Sequence, residues 1–389
     1  MSLLKDISLS AVIAGFVTVL VGFTSSAVIV FQAAQAFGAT PAQVSSWMWA
    51  LCMGMGATCI VLSLRYKLPI VTAWSTPGAA LLISAASGIT MPEAVGAFML
   101  SALLIAISGF SGWFERVFNR IPMSLASAML AGVLFRFGLD AFISIKTQPA
   151  MVLLMLITYL LMRRLLPRYA VLSALLIGTI IAYAQHTLHL DTIEWQLGTP
   201  VFTMPAFSMT AFIGVALPLF IVTMTSQNAP GIAAMRACGY EAPISPVIGW
   251  TGVSTLLLAP FGAHALNFAA ITAAICMGRE AHEDPNKRYV AAVFAGIFYL
   301  IVGVFAAAIT SLFAAFPKEL ILALAGIALL GTIGNGLANA LHKEGEREPA
   351  LIAFLVTASG LSMLNIGSAF WGLVAGVLTM LIMKIKPNK

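Results

Sequence analysis

Apolar runs follow one another along almost the whole chain, separated by short polar breaks. Most reach the roughly 20 residues that a helix needs to cross a bilayer. Taking each run as one span gives about fourteen, over 9–36, 42–64, 69–87, 92–112, 121–145, 149–162, 169–188, 207–235, 246–259, 260–278, 289–314, 318–341, 349–363 and 366–384. The pattern predicts an all-α polytopic membrane protein. Within it the third and tenth spans break the rule, because Pro69 and Pro77 bracket a β-prone stretch and Pro260 and Gly262 open a second irregular segment. In the first, Ser75 or Thr76 is placed to cap a helix carrying Pro77 in its first turn; in the second, Asn267 is the expected cap. Helices from Pro77 to Ser87 and from Phe268 to Gly278 then run about 16 Å, half the hydrocarbon thickness.

Composition agrees with this reading. The chain is 60% hydrophobic and 9% charged, whereas soluble domains are roughly a quarter charged. Of its 20 Lys and Arg, only Lys146 and Lys318 fall in outer loops and Arg136 within a span when the N-terminus is cytoplasmic. The rest lie on the inner side, which orients both termini to the cytoplasm. Basic residues spread singly over loops, so the net +6 is no nucleic-acid footprint. The first run continues from Leu9 to Phe37 without a small-residue cleavage site and is expected to be retained. Cys52, Cys59, Cys238 and Cys276 lack metal-ligand spacing and read as small apolar residues, so neither a metal nor another cofactor is implied. No Gly-x-Ser-x-Gly elbow or phosphate loop points to an enzyme.

The halves of the chain echo each other. Thr24, Ser25, Gly38 and Trp49 recur in order as Thr225, Ser226, Gly239 and Trp250, Pro69 recurs as Pro260, and Ile121-Pro122 as Phe316-Pro317. Seven spans per copy is odd, so the second copy enters from the opposite side, an inverted repeat of the kind that puts a transporter's site at mid-membrane. Two helix N-termini would then face each other and together offer roughly one positive charge. No Lys or Arg lies near either break. Such a site suits a small molecule with at most one negative charge. Trp74 and Phe268 flank the breaks and either contact an aromatic ligand or pack in the core. Thr24-Ser25-Ser26 and Thr225-Ser226-Gln227-Asn228 lie deep in apolar sequence and either line the site or tie helices together. His264 occupies the second break and is the candidate for proton coupling, with Glu241 a more distant alternative. Arg136 and Asp140 sit four apart, close enough to pair.

At these residues the chain resembles the BenE family of bacterial benzoate:proton symporters. The resemblance runs from Ser8-Leu9-Ser10-Ala11 through Thr72-Ala73-Trp74-Ser75-Thr76-Pro77-Gly78 to Phe370-Trp371-Gly372. More distantly the chain is similar to nucleobase permeases such as the uracil transporter, whose two inverted seven-span repeats form a core and a gate. That resemblance implies core segments at 1–112 and 205–314 and gate segments at 113–190 and 315–389. It implies proton-coupled import of benzoate or a related aromatic carboxylate across the inner membrane, with lipid as surroundings and dimerisation left open. The glutamates of nucleobase permeases do not carry over: Ser226 and Gln227 stand at one position, Ile271 and Thr272 near the other. A nucleobase transporter, an inorganic-anion transporter and an anion channel remain the alternatives.

Overall fold

The computed structural model describes residues 6–112, 122–166, 170–188, 197–228, 231–232, 235, 238–241, 243–269, 271–278, 281–306, 308, 315–361, 363 and 368–383. The first helix, α1, covers Leu9–Ala36 with Ser8 as its cap, and bends by 43° between Phe23 and Ser26. α2 (Pro41–Tyr66) opens with a reciprocal Thr40–Gln43 capping box and stops at Lys67, whose φ of 55° turns the chain out of the helix. Then come β1 (Thr72–Trp74), α3 (Thr76–Ala85), α4 (Met91–Phe110), α5 (Met123–Ile143), α6 (Pro149–Leu165) and α7 (Ala170–Ala184). The second half repeats the order: α8 (Met209–Asn228), α9 (Ile244–Leu258), β2 (Leu266–Phe268), α10 (Ile271–Met277), α11 (Tyr289–Val304), α12 (Lys318–Leu341), α13 (Arg347–Ala358) and α14 (Ser368–Met383). In both halves the strand follows the second helix and leads into a short third one.

Five helices among the described residues, α2, α4, α8, α9 extended to Phe261, and α11 preceded by Pro285–Arg288, have the length and hydropathy to cross a membrane, and bent α1 makes a sixth. Others are shorter, such as α3 and α14, or hold residues outside the described set. The expected fourteen crossings are therefore not established by helix length. Large apolar side chains face outward on many helices, among them Phe16 and Val61, as lipid contact requires.

Packing follows small residues. α11 lies along α1 and α2, and α9 along α2 and α4, while α5 gathers α12, α13 and α14, and α6 pairs with α7. A side chain at Gly56 would meet the Gly296 carbonyl at 2.9 Å, and one at Gly296 the Gly56 carbonyl at 2.8 Å. The α2 and α11 backbones touch there, the close approach that substitutes for a hydrophobic driving force in lipid.

The second break differs from the sequence expectation. Pro260 belongs to a tight turn, Ala259–Phe261, continuing α9, and Gly262 reverses the chain at φ 105°. Asn267 lies inside β2 rather than at a helix cap, and α10 starts only at Ile271. The two short helices have 10 and 7 residues, shorter than the eleven expected of each.

Candidate substrate site

Extended backbone inside apolar protein must place every N–H and C=O. β1 and β2 do so by pairing antiparallel, with Thr72 opposite Phe268, Ala73 opposite Asn267 and Trp74 opposite Leu266. The pairing continues outward, since Ser75 N–H donates to the Ala265 carbonyl (3.0 Å) and Ala269 N–H to that of Val71 (2.9 Å). Neighbouring helices take the outer edges. On the β1 side Ser63 of α2 both donates to and accepts from Ile70, and Thr58 meets the Thr72 hydroxyl at 2.6 Å. On the β2 side Thr255 of α9 accepts from Leu266 N–H (3.0 Å) and Asn228 of α8 from Phe268 N–H (2.9 Å). Sequence reasoning missed Thr58, Ser63 and Thr255; their only signal is a hydroxyl on an otherwise apolar helix.

Each strand of this antiparallel pair is followed in the chain by a short helix, β1 by α3 and β2 by α10. Ser75, fully buried, caps α3 by accepting from Gly78 N–H (3.0 Å), as the sequence predicts. Pro77 has no N–H, the Ala79 N–H goes to the Ser75 carbonyl (2.8 Å), and Thr76 is half-exposed. Room there is narrow: an added Cβ at Gly78 would sit 2.7 Å from Leu219 of α8.

Trp74 is buried and held in place, its Nε1 donating to Ser26 Oγ (2.9 Å) and its ring 5.1 Å edge-on from Phe23. Ser26 in turn donates to the Gly22 carbonyl (3.0 Å). The Thr24 and Ser25 side chains lie outside the described residues. In α8 a π-helical turn, Met224–Asn228, splits the polar cluster. Asn228 points inward, fully buried, with its amide nitrogen on Met224 sulfur (3.2 Å), while Ser226 and Gln227 are half-exposed. The Gln227 side chain makes no hydrogen bond to a described residue. Phe268 is buried in β2. With its amide turned to suit its neighbours, Asn267 accepts from Ser75 N–H (3.0 Å) and donates to the Phe268 carbonyl (2.8 Å). It therefore braces the sheet.

His264 is fully buried in the turn before β2, 6.2 Å from both the Trp47 and Phe98 rings. Its Nε2 lies 3.3 Å from the Ser75 carbonyl, which fixes that nitrogen as the donor, and Nδ1 has no partner among the described residues. Glu241 is exposed and remote from these contacts. Arg136 and Asp140 do not form the expected ion pair, since neither has an oppositely charged partner among the described residues. Cys52, Cys59 and Cys276 are buried, as expected of small apolar residues, but Cys238 is exposed. No cluster of metal-binding side chains occurs among the described residues.

A two-stranded sheet thus lies inside a bundle of apolar helices, with a short helix after each strand. The fold matches the transmembrane domain of a cyanobacterial bicarbonate transporter, BicA, with a TM-score of 0.66 over 95% of this chain and 97% of that one at 16% identity. It matches SLC26A9 equally, 0.66 over 98% of this chain and 67% of that one at 14% identity. The protein thus shares the fold of these membrane proteins. It belongs to the benzoate membrane transport protein family, BenE, whose model matches residues 5–382. Among its relatives are the inner membrane protein YdcO of Escherichia coli, 52% identical over 94% of this chain and 93% of that protein, and a benzoate membrane transport protein of Acinetobacter baylyi, 41% identical over 100% and 98%. The expected distant likeness to nucleobase permeases is not supported, because the matched structures are of anion carriers.

Proposed function

We propose that the protein is a secondary active transporter carrying benzoate or a related aromatic monocarboxylate, with a proton, across the bacterial inner membrane. The observation that carries this reading is the paired-strand centre flanked by two helix N-termini, without a Lys or Arg over 68–87 or 259–278. Helix ends alone supply about one positive charge, enough for a single carboxylate. The half-exposed Thr76, Ser226 and Gln227 are the groups free to contact it, and Ser75, Asn228 and Asn267 hold the frame. The kinship with a benzoate transport protein supports the aromatic substrate.

In this reading the strand-to-helix segments are spans broken at mid-membrane, the halves are inverted repeats of seven spans, and both termini are cytoplasmic. α1–α4 and α8–α11 form the core, α5–α7 and α12–α14 the gate, and rocking of one against the other alternates access. Dimerisation is compatible with it.

A second reading, an inorganic-anion carrier, is favoured by the fold likeness to BicA and SLC26A9. Proteoliposomes separate the two. Labelled benzoate uptake driven by an inward proton gradient should saturate and be competed by benzoate analogues, not by bicarbonate, sulfate or uracil. Uptake of bicarbonate or sulfate without benzoate would establish the second reading, and currents far above carrier turnover would mean a channel.

A further inference from the structure

A cavity of about 240 Å³ opens between α1, α3, α5 and α12, well away from the sheet. One wall is Gln32, Gln35 and Ser84; the facing wall is Arg136, Phe137 and Asp140. Ser84 lies about 14 Å farther along α3 than Ser75, at 1.5 Å per residue. The cavity therefore sits towards the side on which α1 ends, the outer side if the N-terminus is cytoplasmic. Its walls come from α1, α3, α5 and α12, which touch one another as α1 with α12 and α3 with α5, so a shift of α5 and α12 against α1 and α3 would change its width.

The chemistry is that of a carboxylate with an apolar body. Arg136 is the one cation among the residues lining the cavity, is exposed, and has no ion-pair partner among the described residues. Its Nη1 lies 3.8 Å from where a Cβ on Gly360 would stand, so the guanidinium lies beside the turn after α13. A planar fork of donors suits a carboxylate bidentately. Two glutamine amides and a serine add neutral donors, and Ile83, Phe137 and Leu322 add apolar surface. The size falls just below the roughly 300–1,000 Å³ of pockets for drug-sized ligands, right for a single ring. Asp140, one turn from Arg136 and not bonded to it, repels an anion and keeps the site weak enough to release its occupant.

We infer that this cavity is a staging site that holds an aromatic monocarboxylate on Arg136 before it moves along α3 to the sheet. The inference rests on the substrate class proposed above. It is tested in the full-length protein carrying Cys238→Ser and Ser84→Cys, where the buried Cys52, Cys59 and Cys276 are shielded from a maleimide. Benzoate should slow labelling at position 84 saturably. Arg136→Gln should raise the half-protecting concentration at least about tenfold, the size of one lost charged hydrogen bond, and Arg136→Lys should recover part of it. Asp140→Asn should lower it, and Gln227→Leu, at the sheet, should leave it within about twofold, because distant sites act independently. Protection that survives Arg136→Gln overturns the inference, and so does protection abolished equally by Gln227→Leu. If Arg136→Gln does not fold, Gln35→Leu carries the same expectation, and unchanged protection there is equally fatal. Benzoate protection in a protein that fails to transport benzoate would sink the transport reading and with it the staging role, leaving only a carboxylate site on Arg136, whereas protection by bicarbonate alone would overturn the aromatic assignment of both.

Discussion

Gln227 and Asn228 are neighbours with opposite fates. Asn228 is fully buried and satisfies the Phe268 N–H, so Asn228→Ala leaves a strand donor unpaired in the protein interior, at a cost of about 1–3 kcal/mol. A lowered thermal midpoint in detergent is the expected result, with any loss of transport following from it. Gln227 is half-exposed and its side chain is unbonded to described residues, so Gln227→Leu should leave the midpoint unchanged and weaken benzoate binding roughly tenfold. Equal binding by wild type and Gln227→Leu would remove Gln227 from the site. Sequence alone marked both amides as costly inside an apolar helix, but their division depends on a π-helical turn for which the sequence carries no signal. Trp74 shows the same limit: its place beside the break was legible, its bond to Ser26 and edge contact with Phe23 were not, because both partners lie about fifty residues away on α1.

The elements were legible in proportion to how local their causes are. Pro77 in the first turn and Ser75 at the cap set the start of α3 from adjacent residues, and the structure agrees. A Thr40–Gln43 box likewise sets the start of α2 at Pro41, a residue before the apolar pattern placed it. The start of α10 was misjudged because β2 is defined by pairing with β1, a contact across almost two hundred residues that overrides the capping preference of Asn267. Since strand edges lean on single hydroxyls of α2 and α9, these positions should be sensitive out of proportion to their size. Thr255→Val keeps the volume but strands the Leu266 N–H, and should destabilise by about 1–3 kcal/mol. Thermal midpoints of Thr255→Val and Thr255→Ser separate the explanations, since Ser restores the acceptor and only Val should suffer.

For the whole molecule the question is how a carboxylate accumulates against a negative-inside potential. Each elementary charge moved costs about 2.3 kcal/mol per 100 mV, and a co-transported proton cancels that cost. Neither strand nor the turns beside them hold an acidic residue, so in the proposed symport the proton would travel on His264, on a more distant group such as Glu241, or on the substrate as the neutral acid. His264 has the geometry for the first route: Nε2 is engaged by the Ser75 carbonyl at the start of α3, and Nδ1 is an unpartnered acceptor among the described residues. A proton gained there would sit directly behind the α3 N-terminus and add to its field on a bound carboxylate. His264→Gln keeps a donor for Ser75 but has no titrating nitrogen. In proteoliposomes it should exchange benzoate in counterflow at near wild-type rates and fail to accumulate it under an imposed pH gradient. Wild-type accumulation by His264→Gln would assign the proton to the substrate or to a more distant group such as Glu241, leaving the ring as a brace between the two halves of the sheet.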